Sequence, residues 1–539
     1  MKIINVRLIG LISPVFFFLG FFFYWPLIEV LRLGFSNDFE AWKSLITNSL
    51  FLKFLFFTIT QTIFTVIFSV LIGLLIGYLL ARKNPYFSDI MRSAVTVPFL
   101  FPPLAILLGF VVIFGRYGLM NKVFLNLINF DPFTYWGIVA AHVLYNISVI
   151  ARISEAALNS EPDSYHVVAK TLGASNWYRF KTITYPHLKP SLESGILLVS
   201  LYSFNSFAIV LILGEVKLQT LEVMIYRQSL IKLDYTTSSM LVVIQLGINL
   251  LIILFYTKRV KYNDQSLSSQ DINKTDLPRS IKSTILLGFL IMISWSPVII
   301  ILRTVINEYN SSPSFVKDRL LSGGYDRLLG TSSLRVLLNT VFFGLLVSIF
   351  ALIFGFLMIL AFEQLKNPAV GEKFSLPLIL LPMGTSAITL SLGILLTHGK
   401  YDSFSDLVWI FIISAQLIAA LPFTSRIMFS SWKQVPKDLI LVSKTLGASN
   451  WQTFEKVIYP FMKSALLVSF IFAFAISVGE FGATFFLSRG EWVTLSLAIH
   501  KMFNTRNILL PNVYALILIM TAFLSFLLIE KIGRLEMKI

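Results

Sequence analysis

The chain contains twelve runs of apolar residues that are each long enough to cross a membrane as a helix. About 20 consecutive apolar residues span the hydrocarbon core of a bilayer. Hydrophobic residues make up 56% of the 539 residues and charged residues only 13%, about half the share in soluble proteins. The predicted fold class is therefore an all-α membrane protein with twelve transmembrane helices. The runs lie near Ile9–Leu31, Phe54–Leu80, Ala94–Phe114, Tyr135–Ala157, Leu192–Leu213, Met240–Tyr256, Thr284–Val305, Asn339–Phe362, Leu376–Leu396, Leu407–Phe429, Ala465–Leu487 and Val513–Leu528.

One segment of the sequence occurs twice. Residues 170–192 and 444–466 are identical at 13 of 23 positions, at a constant offset of 274. Six predicted helices belong to each copy, so both halves enter the membrane in the same direction, as parallel repeats do. We expect a first half over residues 1–257, a polar cytoplasmic linker over 258–282 and a second half over 283–539. A translocation pathway that both halves form, with alternating access, follows from this organisation.

Lysine and arginine are concentrated in the loops that share a side of the membrane with the N-terminus. The net charge is +16, from 44 basic and 28 acidic residues. The positive-inside rule assigns that side to the cytoplasm, so we expect both termini there and no nucleic-acid partner. The first apolar run contains Pro14 and Pro26 and ends without a small-residue cleavage site. It is therefore predicted to be a retained helix rather than a signal peptide.

The repeated segment lies in the longest predicted cytoplasmic loop of each half, about residues 152–191 and 426–464. A proline at its start suits the first turn of a short helix, and a glycine suits the end of that helix. A second amphipathic helix follows, which a further proline should end before the next span. The loop is thus predicted to form a helix–turn–helix on the inner membrane surface. These three positions are Pro162, Gly173 and Pro186 in the first copy and Pro436, Gly447 and Pro460 in the second.

This loop resembles the cytoplasmic coupling loop of ABC importer permeases. The family pattern is Glu-Ala-Ala, three residues, Gly, nine residues, then Ile-x-Leu-Pro. Its Gly and Pro match both copies, but Val167 and Leu441 stand where the family has Glu. The whole chain looks like the fused two-half permeases of thiamine and ferric-iron importers. The resemblance implies ATPase coupling for Val168, Ala169, Leu172, Gly173, Ala174, Trp177 and Pro186, and for Val442, Ser443, Leu446, Gly447, Ala448, Trp451 and Pro460.

The resemblance also implies a transport component that depends on other subunits. Two copies of a cytoplasmic ATP-binding subunit would bind the ATP, and an extracytoplasmic binding protein would deliver the substrate. The sequence has no Gly-x-x-x-x-Gly-Lys-Ser/Thr loop, the device by which many ATPases hold phosphates. It has no cysteine, and its five histidines lack metal-binding spacing. We therefore expect no cofactor, metal site or catalytic residue in this chain.

One carboxylate lies inside a predicted span. Glu480 occurs in Ile-Ser-Val-Gly-Glu-Phe, and an ionisable group at such depth indicates either a pathway or a paired charge. Thiamine and ferric iron are both cations, so a carboxylate could line the route of either. The alternatives are a structural ion pair with Arg426 and exposure at a helix end. The pathway candidates are Ser203, Asn205, Ser206 and Glu480.

The sequence leaves open several alternatives for the function and for the roles of four basic residues. A ferric-iron permease is the second choice after a thiamine permease. A secondary transporter is more remote, because it needs more ionisable residues in the spans than Glu480. Arg152 and Arg426 are read as membrane anchors or ATPase contacts. Arg116 and Lys400 are read as contacts for a binding protein or as solvated loop ends.

Overall fold

The computed structural model describes residues 6–36, 38–83, 85–115, 118, 131–259, 280–311, 326–363, 381–503 and 509–536. All regular secondary structure in these ranges is helical. Nine helices within them are long and apolar enough to cross a membrane. The prediction of an all-α membrane protein is confirmed, and the number twelve stays a prediction. Arg116 and most of the predicted linker lie outside the described residues.

The helices follow one another along each half in the same order. Those before the predicted linker are α1 (Val6–Leu19), α2 (Trp25–Phe35), α3 (Phe39–Thr47), α4 (Ser49–Arg82), α5 (Ser88–Thr96), α6 (Pro103–Phe114), α7 (Tyr135–Ser160), α8 (Asp163–Thr171), α9 (Asn176–Arg179), α10 (Tyr185–Phe204), α11 (Ala208–Leu213), α12 (Leu221–Tyr226) and α13 (Tyr235–Arg259). Those after it are α14 (Ile281–Ser311), α15 (Asp326–Leu329), α16 (Ser333–Glu363), α17 (Ala387–His398), α18 (Phe404–Trp432), α19 (Lys437–Thr445), α20 (Asn450–Thr453), α21 (Tyr459–Gly479), α22 (Gly482–Leu487), α23 (Leu495–Phe503) and α24 (Leu509–Glu536).

The third predicted span is broken rather than continuous. The helical stretches Ser88–Phe99 and Pro103–Phe114 meet at an angle of 99°. Pro102 and Pro103 lie at the bend, where proline lacks the N–H for a helical hydrogen bond and disfavours helix in the residue before it. The expectation of one uninterrupted helix over Ala94–Phe114 is therefore wrong.

The fifth predicted span of each half is also interrupted, at equivalent positions. Helix α10 ends at Phe204 and α11 begins at Ala208, whereas α21 ends at Gly479 and α22 begins at Gly482. The non-helical residues include Ser206 in the first half and Glu480 in the second, which are related by the offset of 274. Two apolar runs that the sequence presents as single spans thus contain a break at the same point.

One compact unit consists of Asp38–Met224 and Ile244–Thr304. Within it, α4 packs along α7 through two glycines four residues apart. A β-carbon on Gly73 would lie 2.6 Å from Cβ of Ile150, and one on Gly77 would lie 2.8 Å from Cβ of Ser154. Small residues at this spacing let two helices approach closely. Gly73 and Gly77 thus form a G-x-x-x-G packing motif in the second predicted span.

The other compact unit consists of Met1–Asn37, Ile225–Val243 and Val305–Ile539. Its N-terminal helix α2 packs on α17, where a β-carbon on Gly393 would lie 2.7 Å from the carbonyl oxygen of Pro26. A separate apolar cluster in this unit supports the second repeated loop. Its buried members are Ile359, Met428, Val435, Ile440, Ile458 and Met462.

The compact units exchange the first spans of the two sequence halves. The first span of the N-terminal half belongs, together with Ile225–Val243, to the unit that holds most of the C-terminal half, and residues 281–304 of α14 belong to the opposite unit. The proposed halves therefore describe the duplication of the sequence, whereas the units describe how the helices pack.

Candidate coupling and pathway sites

Each repeated loop contains a nine-residue helix, α8 or α19. A single residue separates the helix from a glycine in the left-handed conformation. Gly173 and Gly447 both have φ of 79°. In the first copy the N–H of Gly173 donates to the carbonyl of Lys170 at 3.0 Å, and that of Ala174 donates to Ala169 at 2.9 Å. The second copy repeats both bonds. This is the Schellman arrangement, which favours glycine because a β-carbon is strained at positive φ.

The next helix in each copy begins at a serine. The Ser175 hydroxyl accepts a hydrogen bond from the N–H of Tyr178 at 3.2 Å. The Ser449 hydroxyl accepts from the N–H of Gln452, and the Gln452 side chain accepts from the N–H of Ser449 at 2.8 Å. The latter pair is a capping box. The sequence Ser-Asn-Trp-Gln, with Gln three residues after Ser, is the local signal that could have predicted this cap.

The prolines that follow do not end the second helix, which corrects the expectation for Pro186 and Pro460. The chain stays helical from Asn176 to Phe204 and from Asn450 to Gly479. A five-residue π-helical turn, Phe180–Thr184 in the first copy, precedes each proline. Each proline then lies in the first turn of the following α-helix, where its missing N–H costs no hydrogen bond. The wider turn explains why the helix continues.

An apolar surface is exposed on each repeated loop, where the resemblance predicts ATPase coupling. The side chains of Leu172 and Leu446 are 81% and 82% exposed. Contiguous exposed apolar side chains of this kind mark interaction surfaces. Among the residues predicted to take part, the exposed ones are Val168, Leu172, Trp177 and Pro186, and Val442, Leu446, Trp451 and Pro460. Ala169, Ala174, Ser443 and Ala448 are half-buried beneath them.

The two loops rest on different supports. In the first half, Glu161 is 1% exposed and accepts hydrogen bonds from Arg82 at 2.5 Å and from His166 at 2.9 Å. Arg82 also pairs with Asp163 at 2.8 Å. These bonds join the end of α4 to the start of α8. In the second half Val435 occupies the position of Glu161 and packs in the apolar cluster described above. The ion pair of Arg82 with Glu161 could not be predicted from local sequence, because the two residues are far apart in the chain.

Arg152 has a partner within the chain. The Glu155 side chain is buried and accepts hydrogen bonds from Arg152 at 2.5 Å and from Arg92 at 2.6 Å. Glu155 belongs to an Glu-Ala-Ala triplet that is out of register with the coupling pattern. Its role in the structure is to hold two guanidinium groups near the C-terminal end of α7.

The pathway candidates of the first half belong to a polar network. Ser203 is fully buried, and its carbonyl accepts a hydrogen bond from the Gln61 side chain at 2.8 Å. Asn205 is half-buried, and its side-chain oxygen accepts from Gln245 at 2.8 Å and Asn249 at 2.9 Å. The carbonyl of the buried Ser206 accepts from Thr220 at 3.0 Å. Of these side chains, Asn205 at the helix break has the best access to a ligand.

Glu480 stabilises the start of the short helix α22. Its carboxylate accepts hydrogen bonds from the N–H of Ala483 at 2.6 Å and from the N–H and hydroxyl of Thr484 at 3.1 and 2.8 Å. Within the described residues no ion pair joins it to Arg426. The side chain remains partly exposed. Glu480 thus combines a capping role with some access at the break in the fifth span.

A matching threonine bond occurs in each half. The hydroxyl oxygen of Thr58 accepts from the N–H of Leu221 at 3.1 Å, and that of Thr340 accepts from the N–H of Leu495 at 2.9 Å. Both leucines follow a threonine at the repeat offset of 274. The bond therefore fixes the segment after each fifth span to the second span of the same half.

Comparison with known proteins places these features in a family. The family described as "Binding-protein-dependent transport system inner membrane component" matches residues 69–259 and 333–532. The thiamine transport system permease protein ThiP of Escherichia coli is 22% identical over 444 residues, 80% of each chain. ThiP of Brucella suis is 26% identical over 425 residues, 76% of this chain and 74% of that protein. A protein named as a ferric transport system permease, FbpB 1 of Haemophilus influenzae, is 24% identical over 472 residues, 85% of this chain and 71% of that protein. Because the family matches twice and covers well over half of the sequence, the chain belongs to the family of binding-protein-dependent transport system inner membrane components.

Proposed function

We propose that this ABC importer permease carries thiamine across the cytoplasmic membrane. The observation that carries the proposal is the similarity to thiamine transport permeases over about three quarters of the chain. Thiamine is a small organic cation, and Glu480 supplies a carboxylate at the break in the fifth span. Ferric iron is the second candidate, because a ferric transport permease is similar at comparable identity.

The breaks in the two fifth spans support a substrate route at that depth. Discontinuous helices at corresponding positions of two repeats are typical of transporter binding sites, because helix ends leave backbone and side-chain polar groups free to face a substrate. Here Asn205 lies at the break in one half and Glu480 lies at the break in the other. The negative charge of Glu480 suits a cationic substrate, and both side chains are partly exposed.

The coupling loops are proposed to dock two ATPase subunits, one for each copy. Leu172 and Leu446 are the most exposed large apolar side chains of their loops, and complete burial of a leucine contributes about 1.5–3 kcal/mol. Val167 and Leu441, at the positions of the family Glu, are also exposed. The docking surface of this chain is therefore more apolar than the family pattern implies. ATP would be bound by the partner subunits, and this chain would contribute no catalytic group.

A continuous helix connects each docking surface to the proposed route. The helical segment from Asn176 to Phe204 begins directly after the coupling turn and ends at the break that contains Asn205. The segment from Asn450 to Gly479 has the same relation to Glu480. A run of 29 or 30 residues is roughly 40 Å long. When the ATPases close, displacement of a coupling helix would thus move the break directly.

The substrate is tested by measuring uptake of labelled thiamine and of labelled ferric iron in parallel, in cells with and without this gene. Loss of thiamine uptake alone is the expected result. Loss of iron uptake alone would overturn the substrate but leave the permease role in place. Loss of neither would contradict both substrate proposals.

The docking role is tested by purifying the permease with its ATPase subunit. Leu172→Ala together with Leu446→Ala should lower the amount of ATPase that is retained. Thr171→Ala is the matched control, because its hydroxyl bonds only to Val168 on its own helix. Full retention by the double leucine variant would contradict the proposed surface.

A further inference from the structure

A large cavity lies beneath the first coupling helix. Its volume is about 1110 Å³, slightly above the range of roughly 300–1000 Å³ that is typical of small-molecule sites. Its walls are apolar at the depth of the spans and polar beside the loop. We call it the loop cavity and define it by Leu75, Tyr78 and Leu192 on the apolar side and by Asn159, His166 and Arg179 on the polar side.

Three polar residues of the loop cavity are replaced by buried residues in the second half, two of them apolar. At the offset of 274, His166 corresponds to Ile440, Arg179 to Thr453 and Thr184 to Ile458. All three counterparts are buried, and the two isoleucines belong to the apolar cluster that supports the second loop. Beside the repeated loop, the described side chains of the second half are thus buried in an apolar cluster, whereas those of the first half line the loop cavity.

Two buried polar atoms beside the loop cavity have no hydrogen-bond partner within the described part of the chain. They are the Nε of Arg179 and the side-chain oxygen of Asn159. Arg179 does bond to Asn176 through a terminal nitrogen, which leaves its Nε available. The other arginine of the cavity, Arg82, is already bonded to Glu161 and Asp163. An anionic group such as a phosphate would therefore meet Arg179 first, since a guanidinium fork matches its geometry.

The apolar side of the loop cavity lies on a lipid-facing surface. Leu75 and Tyr78 are 41% and 43% exposed, and Leu71 continues the same face of the membrane-spanning helix α4. The ammonium group of Lys83 lies 5.7 Å from the centre of the Tyr78 ring. Basic and aromatic side chains at the end of a span are typical of the level of lipid headgroups.

We propose that the loop cavity binds one anionic phospholipid, with its phosphate at Arg179 and an acyl chain along Leu75 and Leu192. The assignment to the cytoplasmic leaflet rests on the proposed function, which places the coupling loops on that side. The lipid would pack beneath α8. In the second half, apolar side chains pack at the corresponding place beneath α19. Coupling through the first loop would therefore depend on anionic lipid, and coupling through the second loop would not.

The proposal is tested by lipid binding to the purified full-length permease, measured by native mass spectrometry. The probes are phosphatidylglycerol, phosphatidylcholine and the soluble headgroup glycerol phosphate. Arg179→Gln removes the charge. The triple variant His166→Ile, Arg179→Thr, Thr184→Ile fills the loop cavity with the side chains that already pack in the second half. Lys444→Gln is the control, because it removes a positive charge from the other coupling loop.

The wild type and Lys444→Gln should retain phosphatidylglycerol in preference to phosphatidylcholine. Arg179→Gln should lower its occupancy roughly tenfold, as expected for the loss of a charged hydrogen bond, and the filled variant should abolish it. Retention of phosphatidylglycerol by both variants at the wild-type level would overturn the proposal. Binding of glycerol phosphate equal to that of the lipid would replace the lipid by a soluble anion and also overturn it. Because no transport is measured, a wrong substrate assignment would leave this result unaffected.

Discussion

Pro297 packs so closely on Gly109 that a β-carbon on this glycine would lie 2.3 Å from the Pro297 carbonyl oxygen. Pro26 and Gly393 form the same relationship in the other unit, at 2.7 Å. The two glycines are related by an offset of 284 in the sequence. In each unit, the first span of the opposite half thus packs on this glycine. The glycine lies in α6 in one unit and in the equivalent helix α17 in the other. The duplication therefore preserved the place at which the exchanged helix packs.

Replacing this glycine should loosen the exchanged helix. Gly109→Ala introduces a methyl group against backbone atoms of Pro297, and overpacking of this kind typically costs about 1–3 kcal/mol. We expect a lower midpoint of thermal unfolding for the purified permease in detergent. Gly288→Ala in α14 is the control, because no atom lies within 4 Å of its β-carbon position. That change should be neutral or slightly stabilising, and equal losses in both variants would contradict the packing role of Gly109.

The two coupling-loop glycines should respond to substitution for a different reason. No atom lies within 4 Å of a β-carbon on Gly173 or Gly447, so there is room for a side chain. Their φ of 79° is nevertheless strained for other residues, by about 1–2 kcal/mol. Gly173→Val with Gly447→Val should fray both coupling helices and lower ATP-driven uptake, while the amount of permease in the membrane stays at the wild-type level.

Asparagine at the same two positions tests whether backbone strain causes the loss of uptake. It tolerates the left-handed conformation better than other residues do. Gly173→Asn with Gly447→Asn should therefore retain more uptake than the valine variant at equal membrane levels, as judged by immunoblot. Equal uptake in the valine variant and the wild type would show that the helix ends do not matter for coupling.

The parts of the structure that could be predicted are those determined by local sequence. Apolar runs predict the spans, and the Gly173 helix end follows from bonds between residues within one turn. The breaks at Asn205 and Glu480 could not be predicted in this way, because polar residues and glycines also occur within unbroken spans such as α4. The ion pair of Arg82 with Glu161 depends on tertiary contact between distant segments. The expected helix end at Pro186 was wrong because a π-helical turn places the proline where it needs no donor.

The threonine bonds to the segments after the fifth spans should contribute to stability. Thr58→Val keeps the shape of the side chain but leaves the N–H of Leu221 without its acceptor, and a buried unpaired donor costs about 1–3 kcal/mol. Thr340→Val should have a similar effect through Leu495. Thr58→Ser should restore most of the loss in thermal unfolding. Thr60→Val is the matched control, because its hydroxyl bonds only to carbonyls of its own helix; a loss as large as that of Thr58→Val would refute the special role of the bond.

Glu480 combines two roles that substitution can separate. Glu480→Gln removes the charge but keeps one oxygen that can accept from Ala483 or Thr484. Thr484→Val keeps the charge and removes the hydroxyl bond to Glu480. If Glu480 meets a cationic substrate, Glu480→Gln should raise the KM for thiamine uptake about tenfold, the effect of losing a hydrogen bond to a charged group. Thr484→Val should then leave KM near that of the wild type.

Both variants should be compared at equal membrane levels and with their unfolding midpoints measured. A normal KM in Glu480→Gln, with a loss of stability shared by both variants, would leave Glu480 with the capping role alone.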